Sequence, residues 1–480
     1  MVIHPTPSFV VMAVEDARGT PLTNSNGSEG SMSLHKPRTD RSKVLDIAVV
    51  GSGISGLSAA WLLSRRHRVT LFEADNRLGG HSHTVQASDV AVDTGFIVYN
   101  EATYPNLSAL FRHIKVATKP SDMSFAVSLD DGRLEYSGTG LSGLFAQGRN
   151  VISPRFWRML RDLMRFYRDA PIDAAGLGAT SLGEYLDAAG YGVEFRSDHL
   201  FPMAAAIWST PAADIGNYPA AAFIRFCETH GLLKISGRPI WRTVDGGSRS
   251  YVAILAKAVA EIVSNCPIKA ISRTPDGVDI VGGDGRHRQF DHVVIATHAD
   301  QALAMLAEPS MAERRLLGAF SYVNNDAILH SDIGLMPRRR KVWSSWNYMS
   351  REEGNTRQLA VTYWMNRLQG IPDQTPLFVT LNPHREIKPD AVLRRLSYRH
   401  PSFNVDAITA QEQLWSLQGV RSTWFCGAYF GAGFHEDGLQ AGLAVAEAIG
   451  AVRRPWAVPD ESGRIHLPRL ASAAFETEAA

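Results

Sequence analysis

"LDIAVVGSGISGLSAAWLLSRRHRVTLFEADNRLGGHSHTV", Leu45 to Val85, decides how the folded part of this chain begins. Leu45 to Val50 is a short apolar run bounded by polar residues, the pattern of a parallel strand buried on both faces. Gly51, Gly53 and Gly56 follow in G-x-G-x-x-G spacing, then apolar residues at helical intervals (Ile54, Leu57, Trp61, Leu62), then a second strand from Val69 to Glu73. Strand, turn, helix and strand take about 30 residues, and an acid arrives about 20 after the first glycine, which is the dinucleotide-binding arrangement. Gly51 permits the tight turn, Gly53 lets the backbone approach a pyrophosphate, and Gly56 lets helix and strand pack closely. The helix start, around Ser52, Ile54 and Ser55, offers free N–H groups to the phosphates. Glu73, followed by Ala74, is placed to accept hydrogen bonds from the adenosine ribose. "GTGLSG", Gly138 to Gly143, has the same spacing but neither a following helix and strand nor an acid at the right distance, and it is read as a loop.

The rest of the chain sets bounds around this unit. With 480 residues and 45% apolar composition it is long enough for two domains. Forty-nine basic and 48 acidic residues leave a net charge of +1, which excludes nucleic acid as the expected partner. Cys227, Cys266 and Cys426 are too few and too scattered for a disulfide framework, which suits a reducing, cytoplasmic location. No apolar run approaches the roughly 20 residues that span a bilayer. Residues 1–43, rich in Ser, Asn, Pro and Gly, read as a disordered tail.

The residues after Glu73 extend the reading. Arg77, Gly79 and Gly80 complete E-x-x-x-R-x-G-G, and "VDTGFIVYN" then brings Asp93 and Gly95. This second signature resembles that of the FAD-dependent amine oxidase and phytoene desaturase superfamily. The resemblance implies FAD rather than NAD, with Arg77 and the Gly79–Gly80 pair along its pyrophosphate and ribityl chain, and His81 and His83, which follow that pair, are expected near the isoalloxazine. It also implies the order in which the chain returns to the cofactor: a GG turn and helix in Val244–Val263, a backbone contact at Ile268, a strand ending at Ala296, and a last strand, loop and helix in "FCGAYFGAGFHEDGLQAG", Phe425 to Gly442. There Gly427, Gly433, Phe434, His435 and Asp437 are expected to close the flavin site, with Asp437 as a ligand neighbour or a helix N-cap and Glu436 as a solvated neighbour. Cys426 lies inside this final motif rather than a loop before it, which favours noncovalent FAD.

The fold expected is α/β. A Rossmann-like FAD-binding domain, with a parallel sheet, helices and a small antiparallel sheet, is assigned to residues 44–105, 244–310 and 420–452. A discontinuous α+β substrate domain takes 106–243, mostly helical, and 311–419, with a helix near Pro389–Tyr398. Residues 453–480 are a peripheral C-terminal extension.

"SPRFWRMLRDLMRFYRD" reads as a helix capped by Ser153, with Pro154 at its first position. Its arginines fall on one half and Phe156, Met159, Leu160, Leu163, Met164 and Tyr167 on the other. Two readings stand: a helix lying on anionic lipid headgroups, or an ordinary surface helix of the substrate domain. "AVTYWMNRLQGI", Ala360 to Ile371, alternates as a half-buried strand, with Tyr363, Trp364 and Asn366 as candidate pocket residues. His81, His83 and His435 have no cysteine or carboxylate spacing to make a metal site, so none is assigned. His81 and His435 are the candidate catalytic residues, on the ground that an ordinary imidazole exchanges protons near neutrality.

"SDMSFAVSLDDGRLEYSG", "TYWMNRLQ" and "GFHEDGLQAG" together resemble bacterial NAD/FAD-binding flavoproteins similar to the N-terminal flavin domain of plant cyclopropane fatty acid synthases, over about Lys43–Ala451. That resemblance implies dehydrogenation of a lipid acyl chain, such as a methyl-branched unsaturated chain of a membrane phospholipid, by hydride transfer to flavin N5. It implies as partners a cyclopropane synthase-like methyltransferase and the inner, anionic membrane face. A small-amine oxidase and a lipid-binding accessory flavoprotein without turnover are the alternatives.

Overall fold

The computed structural model describes residues 43–208, 215–353, 356–450 and 452–468. Apart from Lys43, the tail expected over residues 1–43 lies outside these, as does the end of the C-terminal extension.

Asp46–Val50 forms a strand whose last four residues are buried, and the glycine turn leads into helix α1 (Ile54–Leu63), buried along its whole length. A helix apolar on every side must be enclosed on every side. The chain returns as the strand Arg68–Phe72, parallel to the first and in register from Asp46 beside Arg68 to Val50 beside Phe72. The complete parallel sheet runs Glu261–Val263, Arg68–Phe72, Asp46–Val50, His292–Ile295, Thr423–Phe425. Its strands thus come from three separated parts of the chain.

Between these returns lie helices α2 (Pro105–His113) and α3 (Pro154–Asp173). A seven-stranded sheet runs Val392–Ser402, Ser321–His330, Phe378–Leu381, Thr356–Trp364, Trp346–Glu353, Phe125–Leu129, Leu134–Ser137. Trp346 pairs in parallel with Phe125, so the two segments expected to build the second domain share one sheet. The chain closes with α4 (His435–Ile449), which crosses α1 so tightly that a Cβ at Gly442 would stand 2.2 Å from the Ser55 carbonyl oxygen.

Several local expectations are corrected. Residues 392–402 form an edge strand, not a helix: Val392 to Ser402 pair along Ser321–His330, and this long ladder overrides the local helical pattern. The strand expected through Ile371 ends at Trp364, and Met365–Gln369 turns as a short helix stopped by Gly370 at φ +57°. The helix expected to run to Val263 ends at Ala256, and Glu261–Val263 leaves it to extend the parallel sheet beside Arg68–Phe72. The 106–243 segment contributes strands as well as helices, and Leu141–Leu144 in the "GTGLSG" loop makes one helical turn.

The C-terminal extension is not peripheral over its described part. Arg454 is buried and bonds both carboxylate oxygens of Glu447 at 2.9 Å, and Trp456 stacks on Trp61 of α1 at 5.9 Å. Arg464 bonds Asp437 at 2.6 Å and the Thr103 carbonyl at 2.8 Å.

Candidate functional site

A single cavity of about 1560 Å³ runs from the first glycine turn to the seven-stranded sheet. At its dinucleotide end Gly51 holds φ +99°, and a Cβ on Gly56 would stand 1.8 Å from the Gly51 carbonyl oxygen, so only glycine lets α1 sit this close to its strand. A Cβ on Gly53 would meet nothing within 4 Å: bare backbone at the start of α1 faces the cavity. Glu73, at the end of the second strand, also lines it. Its carboxylate accepts from the Ser52 N–H at 2.9 Å, from the Ser52 hydroxyl, and from the Asp75 N–H at 2.9 Å. Ala74, Ile268 and Ala296 complete this end, with Ile54 and Ser55 beside Gly53.

The main-chain N–H groups at a helix start, bared by glycine and flanked by a carboxylate and an apolar slot, are the donor set a dinucleotide needs. The cavity continues from them past Gly80, His81 and Gly95 to Gly427, Gly433, Phe434 and His435, so these residues fit FAD along its length. Arg77, Gly79 and Asp437 do not face the cavity. Arg77 donates to the Gly80 carbonyl at 2.8 Å, and Gly79 donates to the Ser52 carbonyl at 3.1 Å; both brace the loop from behind. Asp437 caps α4 by accepting from the Phe434 N–H at 2.7 Å, and Arg464 covers its other side. Cys426 is fully buried and does not line the cavity.

Glu436, expected to be solvated, is buried at 0% exposure. It accepts from the backbone N–H groups of Asn106 at 3.0 Å and Leu107 at 2.9 Å, at the start of α2. A carboxylate there satisfies donors that no intrahelical partner reaches and complements the helix dipole. The acidic pair of the final motif therefore pins two helix starts beside the cavity.

The histidines differ in situation. His435 stacks on Phe96 at 3.8 Å and 10°, and its Nε2 lies 2.7 Å from the Tyr251 hydroxyl and 3.0 Å from that of Ser82. Burial, then the charge of His81, pushes its pKa down to about 3. His81 lines the cavity with a buried Nε2 that has no hydrogen-bond partner among the described residues, and burial followed by Arg77 pushes its pKa down to about 4. Neither imidazole is near its ordinary pKa, so neither exchanges protons near neutrality as an ordinary imidazole would: both are neutral at pH 7 because the charged form would lose its water. His83 bonds the Tyr398 hydroxyl at 3.1 Å and stays outside the cavity.

Around His81 the structure gathers groups that the sequence reading missed. Its ring centroid lies 5.2 Å from Tyr398, 5.5 Å from His400 and 6.0 Å from His298, all of which line the cavity. Burial, ahead of neighbouring histidines, pushes His298 to about 4 and His400 to about 3. His298 was within reach, two residues beyond Ala296. Tyr398 and His400 were not, because their alternation shows only once residues 392–402 are known to be a strand.

The other limb of the cavity is largely apolar, with the buried imidazoles of His199 and His230 in its wall. Helix α3 turns Leu160, Leu163, Met164 and Tyr167 towards it, opposite Met203, Ile207 and Phe226. Ser153 caps α3 as expected, accepting from the Phe156 N–H at 3.4 Å. Except for half-exposed Met164, the apolar face of α3 is thus spent on core and cavity, while Arg155 and Arg158 pair with Asp198 and Glu194 at 2.7 and 2.9 Å. Tyr363 lines the cavity, but Trp364 packs on Trp343 at 5.5 Å on the opposite face of the sheet, as strand alternation demands. Asn366 is structural: it donates to the carbonyls of Pro372 and Thr375, both at 2.9 Å. Of the carboxylates lining the cavity, Glu73 and Asp75 sit at the dinucleotide end. The third, Asp122, is held by Arg367 at 3.1 Å and by Ser345 at 2.7 Å. No group of acidic, histidine or cysteine side chains suited to a metal ion occurs among the described residues.

Comparison with known proteins agrees with this geometry. Residues 54–450 match the family model for flavin containing amine oxidoreductase. AofH of Mycobacterium tuberculosis (strain ATCC 25618 / H37Rv), whose name assigns it provisionally to the flavin-containing monoamine oxidases, is 27% identical over 292 residues, or 58% of this chain. The chain spans 63% of that relative's length. Among solved structures, a redesigned putrescine oxidase aligns at TM-score 0.64 and 14% identity, covering 84% of this chain and 98% of the other. A CLA-producing fatty acid isomerase from P. acnes aligns at 0.60 and 14%, covering 84% and 97%. At such identities these two neighbours establish the fold alone.

Proposed function

The chain belongs to the flavin containing amine oxidoreductase family, whose cofactor is FAD, and from that premise we propose that it dehydrogenates a lipid acyl chain, such as a methyl-branched unsaturated chain of a membrane phospholipid. The observation that carries this reading is the largely apolar limb of the cavity, walled by Leu160, Leu163, Met203, Ile207 and Phe226; the carboxylate found there among the described residues, Asp122, is already held by Arg367. Such a limb gains from burying methylenes, about 0.8 kcal/mol for each. The existence of a fatty acid isomerase with the same fold is compatible with it.

The chemistry the cofactor supplies is two-electron oxidation, a hydride leaving the substrate carbon. The chain's own part is to orient the acyl chain in the apolar limb, exclude water, and take up or pass on the proton. His81, neutral and with an unpartnered Nε2, is the group offered for that proton. His435, occupied by Tyr251 and Ser82, holds the wall of the site. The second reading, oxidation of a small amine, draws on the name of AofH.

Anaerobic reduction separates the readings. The purified protein should carry FAD released by mild denaturation. Its flavin absorbance should bleach with phospholipids bearing methyl-branched unsaturated chains and stay unchanged with polyamines or monoamines. Bleaching by amines alone would give the family's other chemistry. No bleaching by either substrate class would leave the accessory-protein alternative.

A further inference from the structure

The cavity opens through a surface of unusual composition. On α3, Trp157, Arg161, Met164, Arg168 and Ile172 recur at intervals of three and four and form one exposed stripe. Trp157 is 50% exposed, Met164 49% and Ile172 75%. Met164 lines the cavity, as do Ile235, Arg238 and Ile240 of the loop Gly231–Ile240. That loop is closed by Arg238 Nε donating to the Lys234 carbonyl at 2.6 Å, and Ile235 lies within the closed segment. Ile235 is 66% exposed and Ile240 73%, and both line the opening. Lys234 and Arg238 have no carboxylate partner among the described residues, and Arg161 and Arg168 remain solvent-facing beside the acids they touch. Scattered exposed apolar residues are ordinary, but exposed Met164, Ile235 and Ile240 all line one largely apolar cavity, and Arg161, Arg168, Lys234 and Arg238 are exposed on the same two elements.

We propose that this face rests on an anionic lipid bilayer, the large apolar side chains entering the headgroup boundary and the cations meeting lipid phosphates, so that acyl chains pass from the membrane into the apolar limb. The last step rests on the lipid reading above; the docking itself does not. The contact surface is also not the face expected from sequence. Apart from Met164 at its margin, the aromatic half of α3 lies inside, and the stripe of alternating arginine and apolar residues carries the contact.

Full-length protein should co-sediment with vesicles containing phosphatidylglycerol, more weakly with phosphatidylcholine alone, and less as salt is raised. The double substitution I235S/I240S, on an exposed loop, should lower partitioning about tenfold or more on both vesicle types. R161Q/R238Q should weaken binding to the anionic vesicles alone, by about fivefold per arginine. An unchanged flavin spectrum verifies that each variant is folded. Failure of the parent to bind anionic vesicles overturns the proposal, as does I235S/I240S binding like the parent. A dimer of the parent that I235S/I240S dissociates, without vesicle binding, overturns it by giving the face to a second copy of the chain. Binding is read without turnover, and turnover can be assayed on detergent-dispersed lipid, so the membrane contact and the substrate reading fail separately.

Discussion

Asp93 shows how much one buried side chain can hold. Its carboxylate accepts from the Ser248 N–H at 3.0 Å, the Ser248 hydroxyl at 2.8 Å and the Thr84 hydroxyl at 2.6 Å, tying the turn at residues 244–248 to the hairpin that follows the GG pair. Gln369 Nε2 adds a fourth donor at 3.2 Å from the second sheet's side. Burial outweighs these donors and pushes the pKa up to about 6 from an ordinary 3.8. A carboxyl raised by folding stabilises the native state below its unfolded pKa, and that stability is lost as pH rises through the folded value. Asp93 alone should therefore remove about 3 kcal/mol between about pH 4 and pH 6, at roughly 1.4 kcal/mol for each tenfold change in proton affinity. The buried histidines work in the opposite sense: their lowered pKa values give stability above their unfolded value, lost as pH falls towards about 4. Urea unfolding of the parent and of D93N across this range separates the two, because the difference between them should change only where Asp93 titrates. A difference that stays constant with pH would contradict the assignment. His81 gives a second test at this scale. H81A should retain FAD, since the turn residues that hold the dinucleotide end are untouched, yet reduce the anaerobic bleaching rate by about 100-fold if the imidazole moves a proton. Equal loss of bound flavin and of rate would make it a packing residue only.

At the scale of elements, α4 depends on residues that a sequence reading places outside the domain. Asp437 and Glu447 are acids buried in α4, and their cationic partners, Arg464 and Arg454, come from the C-terminal extension. Removing one partner of a buried ion pair leaves an uncompensated charge, a loss of about 3–5 kcal/mol. Truncation after Gly450 strands both acids and should yield a protein that unfolds at markedly lower urea and has lost its flavin. R464M should reproduce the flavin loss, because Asp437 sets the α4 start beside Phe434 and His435. Flavin retained at parental stoichiometry in the truncated chain would refute this. The same elements show what was legible. The glycine turn, the parallel strands and Ser153 as a cap were readable because their signals are local: a φ only glycine tolerates, a doubly buried apolar run, a hydroxyl before a helix-compatible proline. Residues 392–402 were misread because their strand state comes from pairing with Ser321–His330, some 70 residues away in sequence. The partners of Asp437 and Glu436 were invisible for the same reason, since nothing near them in sequence announces Arg464 or the start of α2.

For the whole molecule, the consequence of threading one chain three times through the parallel sheet is a single cavity with two chemically different limbs. One is bounded by backbone at α1 and the final motif. The other lies between α3 and the seven-stranded sheet, built from segments that read as independent of the first. A change deep in the apolar limb should thus affect substrate and leave the cofactor alone. Ile207 is suited to test this, since it lines the apolar limb and is only partly buried. I207W adds an indole where an acyl chain would lie, and excluding three or four methylenes at about 0.8 kcal/mol each predicts a rise in KM on the order of 100-fold for long-chain lipid. The flavin spectrum and the reduction of the protein by dithionite should remain as in the parent. A short-chain analogue that stops before Ile207 should be turned over with unchanged KM, which distinguishes a blocked channel from a distorted site. If long and short chains suffer alike, the substitution has disturbed the sheet or α3, and the limb is not a chain-length gauge. If neither suffers, the acyl chain does not lie between α3 and the sheet at all, and the lipid reading loses the observation on which it stands.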